Sequence, residues 1–147
     1  MKALTLYDPW ATLVVLGEKQ FETRSWSTSY RGLLAIHTSK NMKESGIAYS
    51  SLTFREALGD AMFHPGCIIG TVEVVGCWPT WPYPSPVSRK EVTFGDWRIG
   101  RFAWKLANPR RLAAPISCTG HLGLWTMPPE IAEELARQRL ERDAPRF

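Results

Sequence analysis

Apolar and polar positions along this chain change period several times, and each change marks an element. From Lys2 to Tyr7 the pattern alternates, with Ala3 and Thr5 opposite Leu4 and Leu6, as a strand presents its two faces. Trp10, Leu13, Val14 and Leu16 then recur at helical spacing. Asp8 is suited to accept from the first free backbone donors of that helix, and Pro9 fits its first position because the missing N–H would have gone unpaired there. Gly17 can adopt the left-handed conformation that ends a helix, so the helix should stop at Leu16 and Gly17 should have a positive φ. Alternation returns from Phe21 to Trp26, with Phe21 and Thr23 on one face and Glu22, Arg24 and Trp26 on the other. Lys19 falls in the turn between helix and strand.

Beyond a turn at Ser27 to Ser29, Gly32 to Thr38 is strongly strand-like, whereas Ser39 to Ser51 is polar and irregular. Thr53 and Glu56 have the spacing of a capping box for a short helix through Met62, halted by His64, Pro65 and Gly66. Cys67 to Cys77 reads as a β-branched strand in which Glu73, among apolar neighbours, needs a partner. Trp78 to Pro86 sets three Trp or Tyr residues among four prolines and is expected to cross the surface as a rigid loop. Its aromatic rings could form a stacking platform or cover the open end of a barrel. Phe102 to Leu106 and Leu122 to Thr126 are further strands, with Pro109 and Pro115 bounding the segment between them. Pro129 to Arg142 reads as a closing helix. Five or six strands with two or three helices, one inserted after the first strand, fit an α+β fold built on a small mixed barrel with helical covers. An OB-like barrel satisfies the same periodicity.

Composition narrows the class. A chain of 147 residues with 44% hydrophobic content can bury a sizeable core, and a single domain is expected over 1–147, with 128–147 as a helical extension. No apolar run is long enough to span a bilayer, and the N-terminus lacks the basic and apolar regions of a signal peptide. Cys67, Cys77 and Cys118 have neither even number nor zinc-ligand spacing, so buried free thiols, a reducing cytoplasm and no structural metal are expected. No cofactor motif is present. Residues 128–147 carry four Arg against five acids, which leaves the remainder with 14 basic against 9 acidic side chains. From Arg89 to Arg111 there are seven basic residues opposed only by Glu91 and Asp96, a density suited either to a polyanion or to a solvated face.

The chemistry concentrates around Lys19, Glu22 and Arg24. Opposite charges two residues apart on one strand face, with a third at the strand mouth, can orient a reacting group, or can simply form a structural ion pair. Gly17, Lys19, Glu22 and Arg24 spell G-x-K-x-x-E-x-R, which resembles the signature of the ASCH domain, the activating-signal-cointegrator homology family with a PUA-like fold. The resemblance extends through the helix bearing Pro9 and Trp10, the strand Tyr30 to His37 with Ser39 and Lys40, the GTVEV strand, the FGDWRIGRFAW segment and the late GLW. It covers residues 1–127.

That resemblance implies a PUA-like barrel and a role with nucleic acid. Single strands are bound by cationic grooves together with aromatic faces on which bases stack, and this chain supplies both residue types. Trp97 and Trp104 lie among Arg98, Arg101 and Lys105, and Trp10 and Trp26 flank the signature. In the alternating FAWKL strand Trp104 should be core, while Trp97 between glycines should be exposed. The expected binding set is Trp10, Lys19, Trp26, His37, Ser39, Lys40, Trp97, Arg98 and Arg101, with single-stranded RNA, ahead of DNA, or a modified nucleoside as partner. The second expectation is enzymatic. Members resembling this chain are ascribed ribonuclease activity, and a bacterial branch hydrolyses the acetyl amide of N4-acetylcytidine with a Lys, a Thr and a Glu. Lys19 matches that lysine, with Glu22 and Arg24 as its catalytic neighbours, but Glu22 stands where the branch has its threonine, and Glu73 lies in a different context. His37 could contact phosphate, although a hydrogen-bonded strand-end histidine is the ordinary reading. His64 before Pro65 reads as a turn residue.

Overall fold

In the computed structural model, residues 1–84 and 86–143 are described, with side chains to residue 139. The expected C-terminal extension is thus covered to residue 143, and its last four residues lie outside the described part. Strands β1 (Lys2–Leu6), β2 (Phe21–Arg24), β3 (Gly32–Thr38), β4 (Cys67–Pro79), β5 (Phe102–Ser117) and β6 (Leu124–Thr126) form one mixed sheet in the order β2-β5-β4-β3-β1-β6. Only β1 and β3 pair in parallel; the other neighbours are antiparallel. The sheet curls into a half-barrel, the PUA-like architecture expected. Its helices among the described residues are α1 (Trp10–Val15), α2 (Leu52–Leu58), α3 (Arg89–Phe94) and α4 (Pro129–Asp143).

The alternation along β1 and β3 explains the layering. Leu4, Leu6, Leu34 and Ile36 point to one face, where Ala11, Val14 and Val15 of α1 cover them together with Val72, Val74 and Trp104. Ala3 and Ala35 point to the other, against Ile68, Trp125, Met127 and Leu135 of α4. Leu13 reaches away from the sheet into a third cluster with Phe54, Leu58 and Phe94, which ties α1 to α2 and α3. As expected, Trp104 is fully buried.

Several boundaries differ from the sequence reading for identifiable reasons. Helix α1 begins at Trp10, with Pro9 in the cap position, and Asp8 caps from one residue further out. Its Oδ1 accepts from the Thr12 amide at 3.0 Å and the Thr12 hydroxyl at 2.7 Å. The cap of α2 is Ser51, which accepts from the Phe54 amide, in place of the Thr53 and Glu56 box, and Gly59 at φ +57° ends the helix before Met62. Within the polar stretch after β3, Ser45–Tyr49 forms a 3₁₀ turn. Cys67 and Cys77 are half-buried and only Cys118 is buried; all three are free thiols. Glu73 is half-exposed between Leu33 and Ala107, so water can solvate the carboxylate for which the sequence demanded a partner.

Strand β5 runs straight through Pro109 and Pro115, which the sequence reading placed at the limits of a separate segment. Both prolines fall where the β4–β5 register slips, opposite the intervals Thr71 to Glu73 and Ile68 to Gly70. A bulge has no ladder hydrogen bond for proline to lose, so the strand bends there without ending. Asn108, at φ +50°, makes the first bend. Pro109 then lies against the end of α1: Gly17 has φ +80°, and a Cβ added there would stand 3.1 Å from Pro109 Cγ. Gly17→Ala is therefore expected to cost about 1–2 kcal/mol through the left-handed backbone alone, lowering the urea midpoint at unchanged m-value.

Candidate functional site

Lys19 occupies the turn that closes α1. The Glu18 and Lys19 amides both donate to Leu13 O, at 3.0 and 3.1 Å, which draws the chain back across the helix end and sends the Lys19 side chain inward. The residue is only 2% exposed. Its Nζ donates to Phe21 O and lies 3.5 Å from Glu22 Oε1. Glu22 Oε1 also accepts from the Thr23 amide at 3.0 Å, while Oε2 is buried without a hydrogen bond among the described residues and stands 3.8 Å from Arg24 Nη2. Arg24 in turn donates to Thr5 O at 3.2 Å, tying the edge strand β2 to β1 across the open side of the half-barrel. The three charges thus form one chain of contacts.

A second carboxylate supports them. Glu91, buried on α3, accepts from the Gln20 amide at 3.1 and 3.0 Å through its two oxygens and from the Phe21 amide at 2.9 Å. Ser88 caps α3 by accepting from the Glu91 amide at 3.1 Å, and Lys90 pairs with Glu18. Sequence reading counted Glu91 only as an opposing charge within a basic run. Its position three residues after Ser88 was the available signal for a helix start.

Lys19, Glu22 and Arg24 open onto a cleft of about 800 Å³, within the range of sites for small ligands. Lys19, Glu22, Arg24, Trp10, His37, Ser39, Lys40 and Arg101 all line it. Lys19, Arg24, Lys40 and Arg101 oppose Glu22 and Asp96 there, a surplus of two cationic over anionic side chains, histidines left aside. Three expected residues lie outside the lining. Trp26 packs edge-on to Trp104 at 4.7 Å, and its carbonyl accepts from the Trp104 indole at 3.3 Å. Trp97 is half-buried rather than exposed: its indole donates to Glu91 O at 3.1 Å and its ring meets Phe21 at 5.4 Å. Arg98 is exposed and clamps Asp96 through two bonds of 2.8 and 2.6 Å, which holds that carboxyl well below its usual range, at about 2.

Lining residues that the sequence reading did not assign to the site include Thr5, Tyr7, Asp96, Gly120 and His121. Thr5 and Gly120 explain why His37 is fixed. A Cβ on Gly120 would fall 2.6 Å from His37 Cε1, so only glycine permits this approach. Nε2 of His37 lies 2.7 Å from Cys118 O, an acceptor only, so Nε2 carries the proton. Nδ1 therefore accepts from the Thr5 hydroxyl at 3.1 Å, and that hydroxyl accepts from the Trp125 indole at 3.1 Å. The ordinary reading of His37 as a hydrogen-bonded strand-end residue holds, and it lines the cleft as well. Among the described residues no group of three or more His, Cys, Asp or Glu could hold a metal ion, and no helix is long and apolar enough to cross a membrane.

The sequence model of the ASCH domain matches residues 4–116, the span that contains the whole Lys19–Glu22–Arg24 network. The chain belongs to the ASCH domain family. It is 35% identical over 80 residues to activating signal cointegrator 1 of Homo sapiens and to that of Mus musculus; the match is 50% of this chain but 14% of those proteins' length. The ASCH protein of Zymomonas mobilis has a similar fold, with TM-score 0.57 and 11% identity over 92% of this chain and 93% of that one. A substituted variant of the same protein gives TM-score 0.56 and 13% identity over 92% of this ASCH chain and 96% of its own.

Burial lowers the pKa of His37 below its ordinary value of 6.5; the Cys118 and Gly66 backbone bonds oppose the shift, and His121 and Lys40 add to it. A depressed folded-state pKa means stability that is present above pH 6.5 and lost as pH falls through the folded value. Thermal stability should therefore decline on acidification from pH 6.5 before the carboxylates titrate, and His37→Gln, which cannot ionise, should flatten that part of the profile.

Proposed function

We propose that this ASCH domain binds single-stranded nucleic acid, RNA ahead of DNA, with one nucleotide held in the cleft over Lys19, Glu22 and Arg24. The observation that carries the reading is the composition of that one cavity: four cations opposing two carboxylates, with Tyr7 and Trp10 also in the lining, in a volume of about 800 Å³. Cations attract the phosphate, and the aromatic residues offer faces to a base. The association of the ASCH family with RNA binding agrees with it. Lys40, exposed at the cleft edge, is the cation freest to meet a phosphate, whereas Arg24 and Arg101 are already engaged by backbone carbonyls. Affinity for a labelled oligoribonucleotide should fall steeply with salt, and Lys40→Ala should weaken binding and reduce the logarithmic salt slope by about one. Titrations at several salt concentrations test this; binding that ignores salt, or no binding, would sink the reading.

A second reading, a hydrolase of RNA or of a modified nucleoside such as N4-acetylcytidine with Lys19 as base or nucleophile, is favoured by one observation. Lys19 is almost fully buried and yet lines the cleft. Its Nζ, however, is directed at Phe21 O and Glu22 Oε1, two acceptors that use the donors of an ammonium. A general base needs a free lone pair instead. Lys19→Arg keeps the cation but supplies no neutral amine. On the binding reading that variant retains most oligonucleotide affinity, with thermal melting as the check that it folds. Wild-type turnover of N4-acetylcytidine or RNA that disappears in Lys19→Arg would reverse the preference.

A further inference from the structure

The cleft is bounded on one side by the 95–101 loop, whose Gly95, Asp96 and Arg101 line it. A second, proline-stiffened loop is bonded to this one. The Thr80 amide donates to Arg101 O at 3.0 Å and the Thr80 hydroxyl to Arg98 O at 2.8 Å. From Thr80 the chain runs through Trp81, Pro82, Tyr83 and Pro84. The Tyr83 ring meets Trp97 edge-on at 5.6 Å, and Trp81 meets Tyr83 edge-on at 5.8 Å. Trp97 is anchored inward through Glu91 O, so the series of rings is held from its buried end. At its outer end Trp81 is 59% exposed and Tyr83 46%. The side chain of Arg98, on the same 95–101 loop and paired with the cleft residue Asp96, is 82% exposed.

Large aromatic residues in water on a loop already fixed by prolines cost little further ordering when a partner stacks on them. They are also continuous with the cleft wall, because the loop they rest on is the loop that lines it. A polymer with one nucleotide in a cavity of about 800 Å³ must pass its neighbouring nucleotides over the rim. We infer that Trp81 and Tyr83 form a stacking ledge for the bases next to the one in the cleft, so that the ligand is a single strand of several nucleotides rather than a free nucleoside. Arg98, although paired with Asp96, leaves guanidinium protons beyond the two used in that pair for the connecting phosphate. The inference rests on the nucleic-acid reading above and goes beyond it in assigning a second contact surface and the length of the ligand.

The test is a length series of oligouridylates from one to eight nucleotides, competed against a labelled octamer, with wild type, Trp81→Ala and Trp81→Phe. Wild-type affinity should rise about tenfold or more over the first few added nucleotides, since a stacked base contributes on that order. Trp81→Ala should remove about that gain while leaving uridine monophosphate affinity unchanged, and Trp81→Phe should restore most of it. Trp81 is exposed, so its replacement does not threaten the fold. Equal affinity for monomer and octamer, or full octamer affinity in Trp81→Ala, would overturn the ledge while leaving the cleft reading intact. Self-association that Trp81→Ala abolishes with no change in octamer affinity would overturn it in favour of a protein contact. No binding by monomer or octamer would overturn the cleft reading and the ledge together.

Discussion

A lysine with 2% of its surface exposed cannot be placed casually, and the demand to satisfy Lys19 organises one whole side of this domain. Removing an ammonium from water costs several kcal/mol unless its donors are met by well-placed acceptors. Phe21 O and Glu22 supply them, and each must itself be positioned. Phe21 is held through its amide by Glu91 from α3, and Glu22 through the Thr23 amide. Gly17 makes the turn that aims Lys19 inward, and Arg24 carries the network on to β1. The arrangement links three segments distant in sequence, namely β1, the turn and strand at 17–24, and α3, so displacing any one of them disturbs the partners of a buried charge. This is a reason for the G-x-K-x-x-E-x-R spacing that does not depend on what the site does.

Local rules were enough for β1, α1, β3 and the positive φ of Gly17, because in each case the side-chain period and a terminating residue agree. They failed at β5. Proline is normally evidence against strand interior, and only the slipped register against β4 shows that Pro109 and Pro115 lose nothing there. A bulge is a property of two strands together and cannot be read from one of them. Helix α3 is the opposite case: Ser88 and Glu91 have the spacing of a helix start, but the capping pair lies within a dense run of basic residues that carries no helical period of its own.

For the candidate site, adjacency in sequence was informative where the chain is compact and misleading where it folds over itself. Lys19, Glu22 and Arg24 converge because a short turn and strand leave them nowhere else to go. Trp26, two residues beyond Arg24, turns into the core against Trp104, and Trp97 spends its indole on Glu91. Tryptophan is large enough that its role is decided by tertiary packing, and a neighbouring arginine carries little information about it. Thr5, Gly120 and His121 are the reverse case. They come from opposite ends of the chain, and no local pattern marks Gly120 as the residue whose missing Cβ admits His37.

The way the cleft residues are held also bears on what the site can do. His37 is committed to one tautomer by Cys118 O on one side and Thr5 on the other, and Thr5 is committed in turn by the Trp125 indole. A proton shuttle must exchange partners during a cycle, whereas every polar atom in this series already has one. Lys19 is engaged in the same way. Glu22 Oε2 is different: among the described residues it is a buried acceptor with no hydrogen bond, 3.8 Å from Arg24 Nη2. An unmet acceptor in an otherwise satisfied network is a place where a ligand donor gains without displacing a protein bond. On the binding proposal a ligand donor to Glu22 Oε2 would complete this network, whereas on the hydrolase proposal Lys19 would first have to leave Phe21 O and Glu22.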